Sequence, residues 1–469
     1  MNGVRPDRVL WALAALAVLA ACSLSAPGVP TFSTAAIFEA VKPAVVIVET
    51  DNAVTWSVPQ PMLTAVKEQQ LRNAVVAMVR SGQVANNETA IGQASVKLLV
   101  ANPSSWFSAS AQRHQQTDSV LALGTGFFVT ESGYLLTNDH VVETTADDLR
   151  QQLLDQLQRE SADAAQVAAF RDETSHGLGV PLTDAQAASL FQWMLGVFKS
   201  DLRIASVAPV YRIGFGSMSP ADVASRGLPV QLVAHGASTP GRDVAVLRAS
   251  GGPFVSLATA AATPGPGATL AVIGYPCRCG GGATFDPKQM LQPVLTSGTA
   301  REQVAMPGGW NALGTDAPIE HGNSGGPVLQ DDARVVGLAT FSDATAAGTP
   351  RSFAVPMAVA SQFTLEAHVR PAQGSLGQRY AQAVSEFRQD HFRAALPLFR
   401  QVATTAVHDP YARQYVTQSE TAIAAGQDRT PSFGALPALA VGVYVAVSAA
   451  AVLIGVLVYR RRRRLVRGW

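Results

Sequence analysis

The sequence predicts a mainly β core broken by two helical insertions, followed by a short helical segment and one transmembrane helix. Three observations carry this. Short runs of β-branched and aromatic residues bounded by glycines recur through the middle of the chain, at 124–129, 133–137, 243–247, 327–329 and 335–339. Two long stretches between them lose that pattern and take up helical spacing. Near the end, Leu436 to Tyr459 runs 24 residues without a charge.

From the start, Met1 to Ala21 has a short basic beginning and then the apolar run Val9 to Ala20, too short to cross a bilayer comfortably and typical of a secretory signal. Leu19-Ala20-Ala21-Cys22 resembles a bacterial lipobox, which would make Cys22 the lipidated first residue of the mature chain. The alternative is an ordinary signal, or an uncleaved anchor, in which Cys22 is merely small. With only three cysteines, the fold does not rest on a disulfide framework.

A first strand is expected at Ala44 to Glu49, and a helical insertion at about 51–120. Within it Leu71, Val75, Val76, Met78 and Val79 make one apolar face among Lys67, Glu68, Arg72 and Arg80. The second insertion covers about 143–205. Leu149, Leu153, Leu154 and Leu157 repeat there at helical spacing, and Thr183 with Gln186 forms a capping box opening a helix that carries Leu190, Phe191, Met194, Leu195 and Phe198. Strand-like runs resume at Ala208 to Phe215 and Leu228 to Ala234.

Beyond Phe363, the segment 374–426 places Tyr380, Ala383, Phe387, Phe392, Ala395 and Phe399 in a pattern resembling about one and a half tetratricopeptide repeats, with a plain helical hairpin as the alternative. So short a unit cannot bury its own apolar face and must pack on the core, a membrane or a protein partner. Residues 427–434 form a polar linker, 435–459 the transmembrane helix and 460–469 a basic tail. At 1.5 Å per residue the uncharged run is ~36 Å long, enough for a ~30 Å hydrocarbon core. Arg460 to Arg464 would hold the tail on the cytoplasmic side of a bacterial membrane, leaving everything before the span outside, as a secretory signal also demands.

Of 469 residues, 48% are hydrophobic and 15% charged, which suits a packed core with membrane segments. The formal net charge is +1; setting aside eight bases and one acid at the two ends leaves 27 bases against 33 acids, so nothing favours nucleic acid as a partner.

The chemistry is declared at Thr315 to Leu329, read T-D-A-P-I-E-H-G-N-S-G-G-P-V-L. Ser324 is the candidate nucleophile, and Gly322, Gly325 and Gly326 allow a tight backbone path that can aim N–H groups at one point. Gly322, Ser324 and Gly326 also fit the nucleophile elbow of α/β-hydrolases, but an elbow leads directly into a helix, whereas Pro327-Val328-Leu329 and Val335 to Ala339 read as two strands. An esterase is therefore disfavoured. His140 stands at the end of a glycine-turned hairpin, and Asp243 at the start of a buried strand. The order His140, Asp243, Ser324 is that of the chymotrypsin clan. Asp139 and Asp316 are rivals for the acid. Asp139 adjoins His140 and would point away from it in an extended segment, while Asp316 more naturally shapes the nucleophile loop.

With Gly124-Thr125-Gly126-Phe127-Phe128, Thr137-Asn138-Asp139-His140-Val141-Val142, Gly241-Arg242-Asp243-Val244-Ala245-Val246-Leu247 and Gly322-Asn323-Ser324-Gly325-Gly326 in this order, the chain resembles an HtrA/DegP-type trypsin-like serine protease over about residues 35–365. No PDZ pattern follows. The resemblance implies a chymotrypsin-like double β-barrel and an endopeptidase acting on polypeptide substrates without a metal or organic cofactor. In it Ser324 attacks the peptide carbonyl, His140 takes and returns the proton, Asp243 orients the imidazole, and the N–H groups of Ser324 and Gly322 bind the oxyanion. Pro318, six before Ser324, would sit at the base of the primary pocket, implying cleavage after small or medium apolar residues. His321 replaces the proline usual before this motif; it either touches substrate or is solvated. Cys277 and Cys279 form either a local disulfide or free loop thiols.

Because the second insertion leaves the core just after His140, its apolar helix is expected to cover the cleft as a lid, or else to pack on the back of the barrel or between subunits. The rival from another class is an inert protease fold working as a membrane scaffold, its helical segment holding a partner.

Overall fold

The computed structural model describes residues 33–277, 287–343 and 351–431, with Ile454 alone beyond them. The signal segment, Cys22, the span expected at 435–459 apart from Ile454, and the basic tail lie outside the described residues. Among the described residues no helix is long and apolar enough to cross a membrane.

In chain order, α1 (Thr34–Val41) leads through a 3-10 turn into β1 (Val45–Leu63), and α2 (Ala65–Arg80), α3 (Glu88–Ala101) and α4 (Pro103–Trp106) precede β2 (Phe107–Phe128). Then come β3 (Tyr134–Thr137), α5 (Asp139–Val142), α6 (Ala146–Glu160), α7 (Ala164–Leu178), α8 (Asp184–Asp201), β4 (Arg203–Phe215), α9 (Pro220–Arg226), β5 (Leu228–His235) and β6 (Ala245–Ala249). The second half holds β7 (Thr269–Gly274), β8 (Val294–Met306), β9 (Trp310–Thr315), β10 (Pro327–Leu329), β11 (Val335–Asp343) and β12 (Arg351–Pro356). It ends in α10 (Met357–Glu366), α11 (Ser375–Arg388), α12 (Phe392–Thr405) and α13 (Pro410–Ala424).

Two closed antiparallel barrels result, ordered β1-β2-β3-β6-β5-β4 and β7-β8-β9-β12-β11-β10. This is the double barrel expected from the resemblance. Alternate strand residues fill each interior: Val46, Val48, Phe128, Leu135, Ile213 and Leu247 in the first, Leu270, Val272, Leu313, Val328, Val336 and Ala354 in the second. A third cluster, including Ile47, Phe127, Ile273, Tyr275 and Leu338, joins the two.

The insertions differ from expectation in where strand gives way to helix. β1 and β2 run far past the barrel as a paired arm, in register from Val45↔Phe127 out to Leu63↔Phe107 with one shift at Pro59/Pro61. β4 pairs along the other side of β1. Of the stretch 51–120 only the part from Ala65 to Trp106 is helical. The reason is visible in Val54, Trp56 and Val58, which alternate with polar residues at the strand period of two.

That alternating face is where the second insertion goes. Thr183 and Gln186 form both bonds of the expected capping box, and α8 lays Phe191, Leu195 and Phe198 with Leu149, Leu153 and Leu157 of α6 against Val54, Trp56 and Val58. The Trp56 and Phe198 rings meet edge to face at 6.1 Å. Leu190 packs instead with Val96 of α3 and Leu182, which joins the two insertions into one layer. The apolar face expected to cover the cleft is thus covered by the arm, because a second hydrophobic surface exists there that sequence spacing alone did not provide.

The terminal helices α11, α12 and α13 pack in succession and dock on the core through α1. Tyr380 and Phe399 are fully buried between them, the Tyr415 hydroxyl donates to Glu39, and the Lys42 ammonium lies 4.5 Å from the centre of the Tyr411 ring. Of the places such a unit had to pack, it uses the core.

Glu49 of β1 is 0% exposed with both carboxylate oxygens unpartnered. Burial pushes its pKa from 4.5 up to about 7, with Arg212 pulling the other way and Asp51 adding to the rise. Between those values the folded state holds a proton that the unfolded chain has released, so this residue's contribution is full below about pH 4.5 and is lost as pH rises through about 7. Glu49→Gln should therefore match the wild type near pH 5 and exceed it by up to about 3 kcal/mol near pH 8, read by chemical denaturation at both values. Equal stability at both would show that the carboxyl is not buried unpaired.

Candidate active site

The site is built where the two barrels meet. On the first barrel, β3 ends at Thr137 and the single turn α5 turns His140 toward the cleft. Asp243 enters just before β6, is 0% exposed, and meets the histidine twice: its Oδ2 lies 2.7 Å from His140 Nδ1, and its Oδ1 accepts from the His140 backbone N–H at 3.0 Å. The Thr340 hydroxyl donates to the same Oδ2 at 2.5 Å, and Asn138 Nδ2 donates to the Asp243 carbonyl at 2.7 Å.

Burial raises the Asp243 pKa, but the hydrogen bond and charge of His140 with the Thr340 hydroxyl outweigh it, and the net shift is down. An ionised carboxylate only accepts, so Nδ1 of His140 carries a proton and Nε2 is left facing the cleft as an acceptor. For His140 burial pulls downward, and the bond and charge of Asp243, helped by the charge of Asp139, outweigh it. Its pKa therefore lies above the usual 6.5, so the neutral imidazole dominates only at higher pH than for an ordinary histidine.

Ser324 lines the same cleft of about 730 Å³, together with His140, Ser238, Thr239, Ile319, His321 and Phe341. Its hydroxyl donates to the Thr340 carbonyl at 3.0 Å. Among the described residues neither that hydroxyl nor the amides of Gly322 and Ser324 bond to another group on the cleft side. Gly322 has φ +90°, and a Cβ there would come within 2.2 Å of the Tyr275 carbonyl. Only glycine fits.

Thr125 fixes the nucleophile loop to the first barrel. Its N–H donates to the Ser324 carbonyl at 2.8 Å, its hydroxyl donates to the Gly322 carbonyl at 2.6 Å and accepts from the Tyr275 N–H at 2.9 Å, and its carbonyl accepts from the Thr137 hydroxyl at 2.7 Å. Sequence reading passed over it, although it stands in the quoted Gly124-Thr125-Gly126. Thr340 carries no local signal.

The rival acids are engaged elsewhere. Asp139 pairs with His235 Nδ1 at 2.9 Å and accepts from the Ser238 hydroxyl at 2.9 Å; Asp316 pairs with Arg301 and accepts from the Thr299 N–H. Pro318 does not join the cleft: it is exposed, and its carbonyl accepts from the Thr296 hydroxyl at 2.7 Å. Ala317 and Ile319 on either side are buried, so the alternation of an extended segment turns Pro318 outward and puts Ile319, with Phe341 and Ser342, at the pocket. His321 is exposed at the rim. Cys277 also lines the cleft and is disulfide-bonded, its partner lying outside the described residues. Among the described residues no group of His, Cys, Asp and Glu is arranged to hold a metal.

Residues 124–338 match the family model of the trypsin-like peptidase domain. With the two barrels, this identifies a trypsin-like peptidase domain over that part of the chain, which supports a serine endopeptidase. Among solved structures, the serine endoprotease from Yersinia pestis is 16% identical, covering 72% of this chain and 67% of that one at a TM-score of 0.34, too loose a likeness to add to the argument. No curated protein matches the chain.

Thr125→Val keeps the shape but strands the Tyr275 N–H and the Gly322 carbonyl in a buried place, while Thr125→Ser keeps both bonds. At about 1–3 kcal/mol per stranded group, the valine variant should lose roughly 2–6 kcal/mol of stability in urea denaturation and the serine variant far less. Equal losses would mean that the methyl group, not the hydroxyl, is what matters.

Proposed function

We propose that the chain is a membrane-anchored, extracytoplasmic endopeptidase of the HtrA type, working through His140, Asp243 and Ser324. The observation that carries this is the His140 to Asp243 pair, already formed and shared with Thr340, facing a cleft that Ser324 also lines. Ser324 Oγ attacks the peptide carbonyl and forms the acyl bond as its proton passes to His140 Nε2. The imidazolium is stabilised by Asp243 and returns the proton to the leaving amine; water then repeats the cycle and releases the acid. The Gly322 and Ser324 amides receive the charge on the attacked oxygen.

Of the residues lining the cleft, Ile319, Phe341 and Ser342 carry no charge and the Glu320 carboxylate is exposed, which supports cleavage after small or medium apolar residues. The family resemblance supports protein quality control or regulated proteolysis as the setting. In this reading α11 to α13 are the tetratricopeptide-like unit, available to a protein partner on whatever surface α1 does not cover.

A fluorophosphonate probe should label the wild-type protein in membranes and leave Ser324→Ala unlabelled, with peptide cleavage lost in parallel and the melting curve unchanged. Equal labelling of both removes the assignment, and no labelling of either favours the inert scaffold.

The anchoring rests on 435–459 and the arginines after it. Protease added outside spheroplasts should digest the Ser324 domain and spare a tag placed after Trp469. A protected domain with a digested tag would reverse the topology. Cys22→Ala should abolish incorporation of labelled fatty acid if Cys22 is lipidated.

A further inference from the structure

We infer that Asp139 is a positioning residue for His140 and Asp243: its carboxylate clamps the loop that brings in Asp243 onto the turn that presents His140, and its charge backs the imidazole. This rests on the endopeptidase reading above. Asn138, Asp139 and His140 follow one another, and each bonds to the segment 235–243. The Asn138 amide donates to the Asp243 carbonyl at 2.7 Å, and His140 meets the Asp243 carboxylate through its ring at 2.7 Å and its backbone N–H at 3.0 Å. Those two hold only the end of the segment. Asp139 holds its beginning: Oδ1 lies 2.9 Å from Nδ1 of His235, the last residue of β5, and Oδ2 accepts from the Ser238 hydroxyl at 2.9 Å.

The loop needs such a hold. It carries two glycines, Gly236 and Gly241, and closes on itself through the Gly236 N–H to the Val244 carbonyl and the Gly241 N–H to the Ser238 carbonyl, both at 2.8 Å. Ser238 and Thr239 then face the cleft instead of packing in the core. Successive residues of a helical turn point about 100° apart, so the three side chains grip the segment from different directions. Asp139 is buried and uses both oxygens, as a carboxylate removed from water must.

Holding the loop does not by itself require a charge, since an asparagine side chain both accepts and donates. The charge has an effect of its own. Facing the Asp139 carboxylate are His235 from β5 and Ser238 from the loop, with Tyr211 of β4 in its field and Glu143 on its own turn. Among the described residues no lysine or arginine pairs with it, so a proton on His235 is what offsets it. Facing His140 are Asp243 and Asp139, with Glu320 and His321 along the cleft. The Asp139 charge adds to that of Asp243 in favouring the imidazolium. It therefore stabilises the state formed when Ser324 gives up its proton and, by the same sign, leaves less neutral base at low pH.

The test uses the full-length protein and reads kcat and KM on a peptide, with the rate of fluorophosphonate labelling, from about pH 5 to 9. Asp139→Asn keeps both bonds, because the Ser238 hydroxyl can accept where it donated, and removes only the charge. Its acid limb should move to lower pH, so that it cleaves a few-fold faster than the wild type near pH 5 and more slowly than it on the alkaline plateau. Asp139→Ala loses both bonds as well, and should lose roughly tenfold or more in kcat with KM within about twofold, a loss that asparagine largely restores.

An acid limb unmoved in Asp139→Asn overturns the role of the charge, and wild-type kcat in Asp139→Ala, or a loss confined to KM, overturns the clamp. Should the alanine variant fail to fold, Ser238→Ala cuts one bond and no charge: lowered kcat with the acid limb in place supports the clamp, and unchanged kcat overturns it. Either failure in protein that the probe labels leaves the endopeptidase reading standing. Absence of labelling in the wild type overturns both.

Discussion

The four hydrogen bonds of Thr125 hold together what the two barrels separately contribute. The residue belongs to the first barrel, yet its amide and hydroxyl hold the carbonyls of Ser324 and Gly322 from the second. Its hydroxyl also takes the Tyr275 amide, and its carbonyl takes Thr137, the last residue of the strand before His140. Base and nucleophile lie on loops nearly two hundred residues apart, and loops on two rigid bodies keep a sub-ångström relation only if something stiff joins them. A buried threonine with every polar group used is stiff, and costly to disturb, because none of its partners has water as a substitute.

Much of the site was legible in the sequence because its requirements are local. Glycines around Ser324, a hairpin delivering His140 and an acid opening a strand are all short-range patterns, and the capping box at Thr183 is likewise contained in four residues. What was not legible depends on partners. β2 between Ser108 and Ser119 is rich in Ser, Gln and Ala and carries no strand signal of its own; it is a strand because β1 lies beside it. Pro318 was placed by counting along the chain, and the count ignored which way an extended residue faces. Thr340 bonds to Asp243 across 97 positions, and nothing local to either marks the pair.

The arm shows how a small barrel accommodates large insertions without losing its cleft. Each insertion presents an apolar surface too large to leave in water, and Trp56, Leu153, Leu195 and Phe198 are each buried mainly against the other insertion or the arm. At about 1.5–3 kcal/mol per fully buried side chain, each such residue favours keeping the layer on the arm. The barrels then need contribute no surface, and the residues lining the cleft all come from the core fold.

The docking of the terminal helices on α1 brings the two described ends of the protein to one place. Arg388 reaches Ser33, while the Arg429 amide donates to the Asp390 carbonyl and Asp428 holds the Arg393 amide, all around the turn between α11 and α12. Tethers leaving from both ends would thus meet at a single point. Two separated attachments would fix a body's orientation; two that coincide act as a swivel, limiting how far the domain strays while leaving it free to turn. On the proposed anchoring, a protease hung in this way would sweep its cleft through every heading within reach of its tether and meet targets lying on either side.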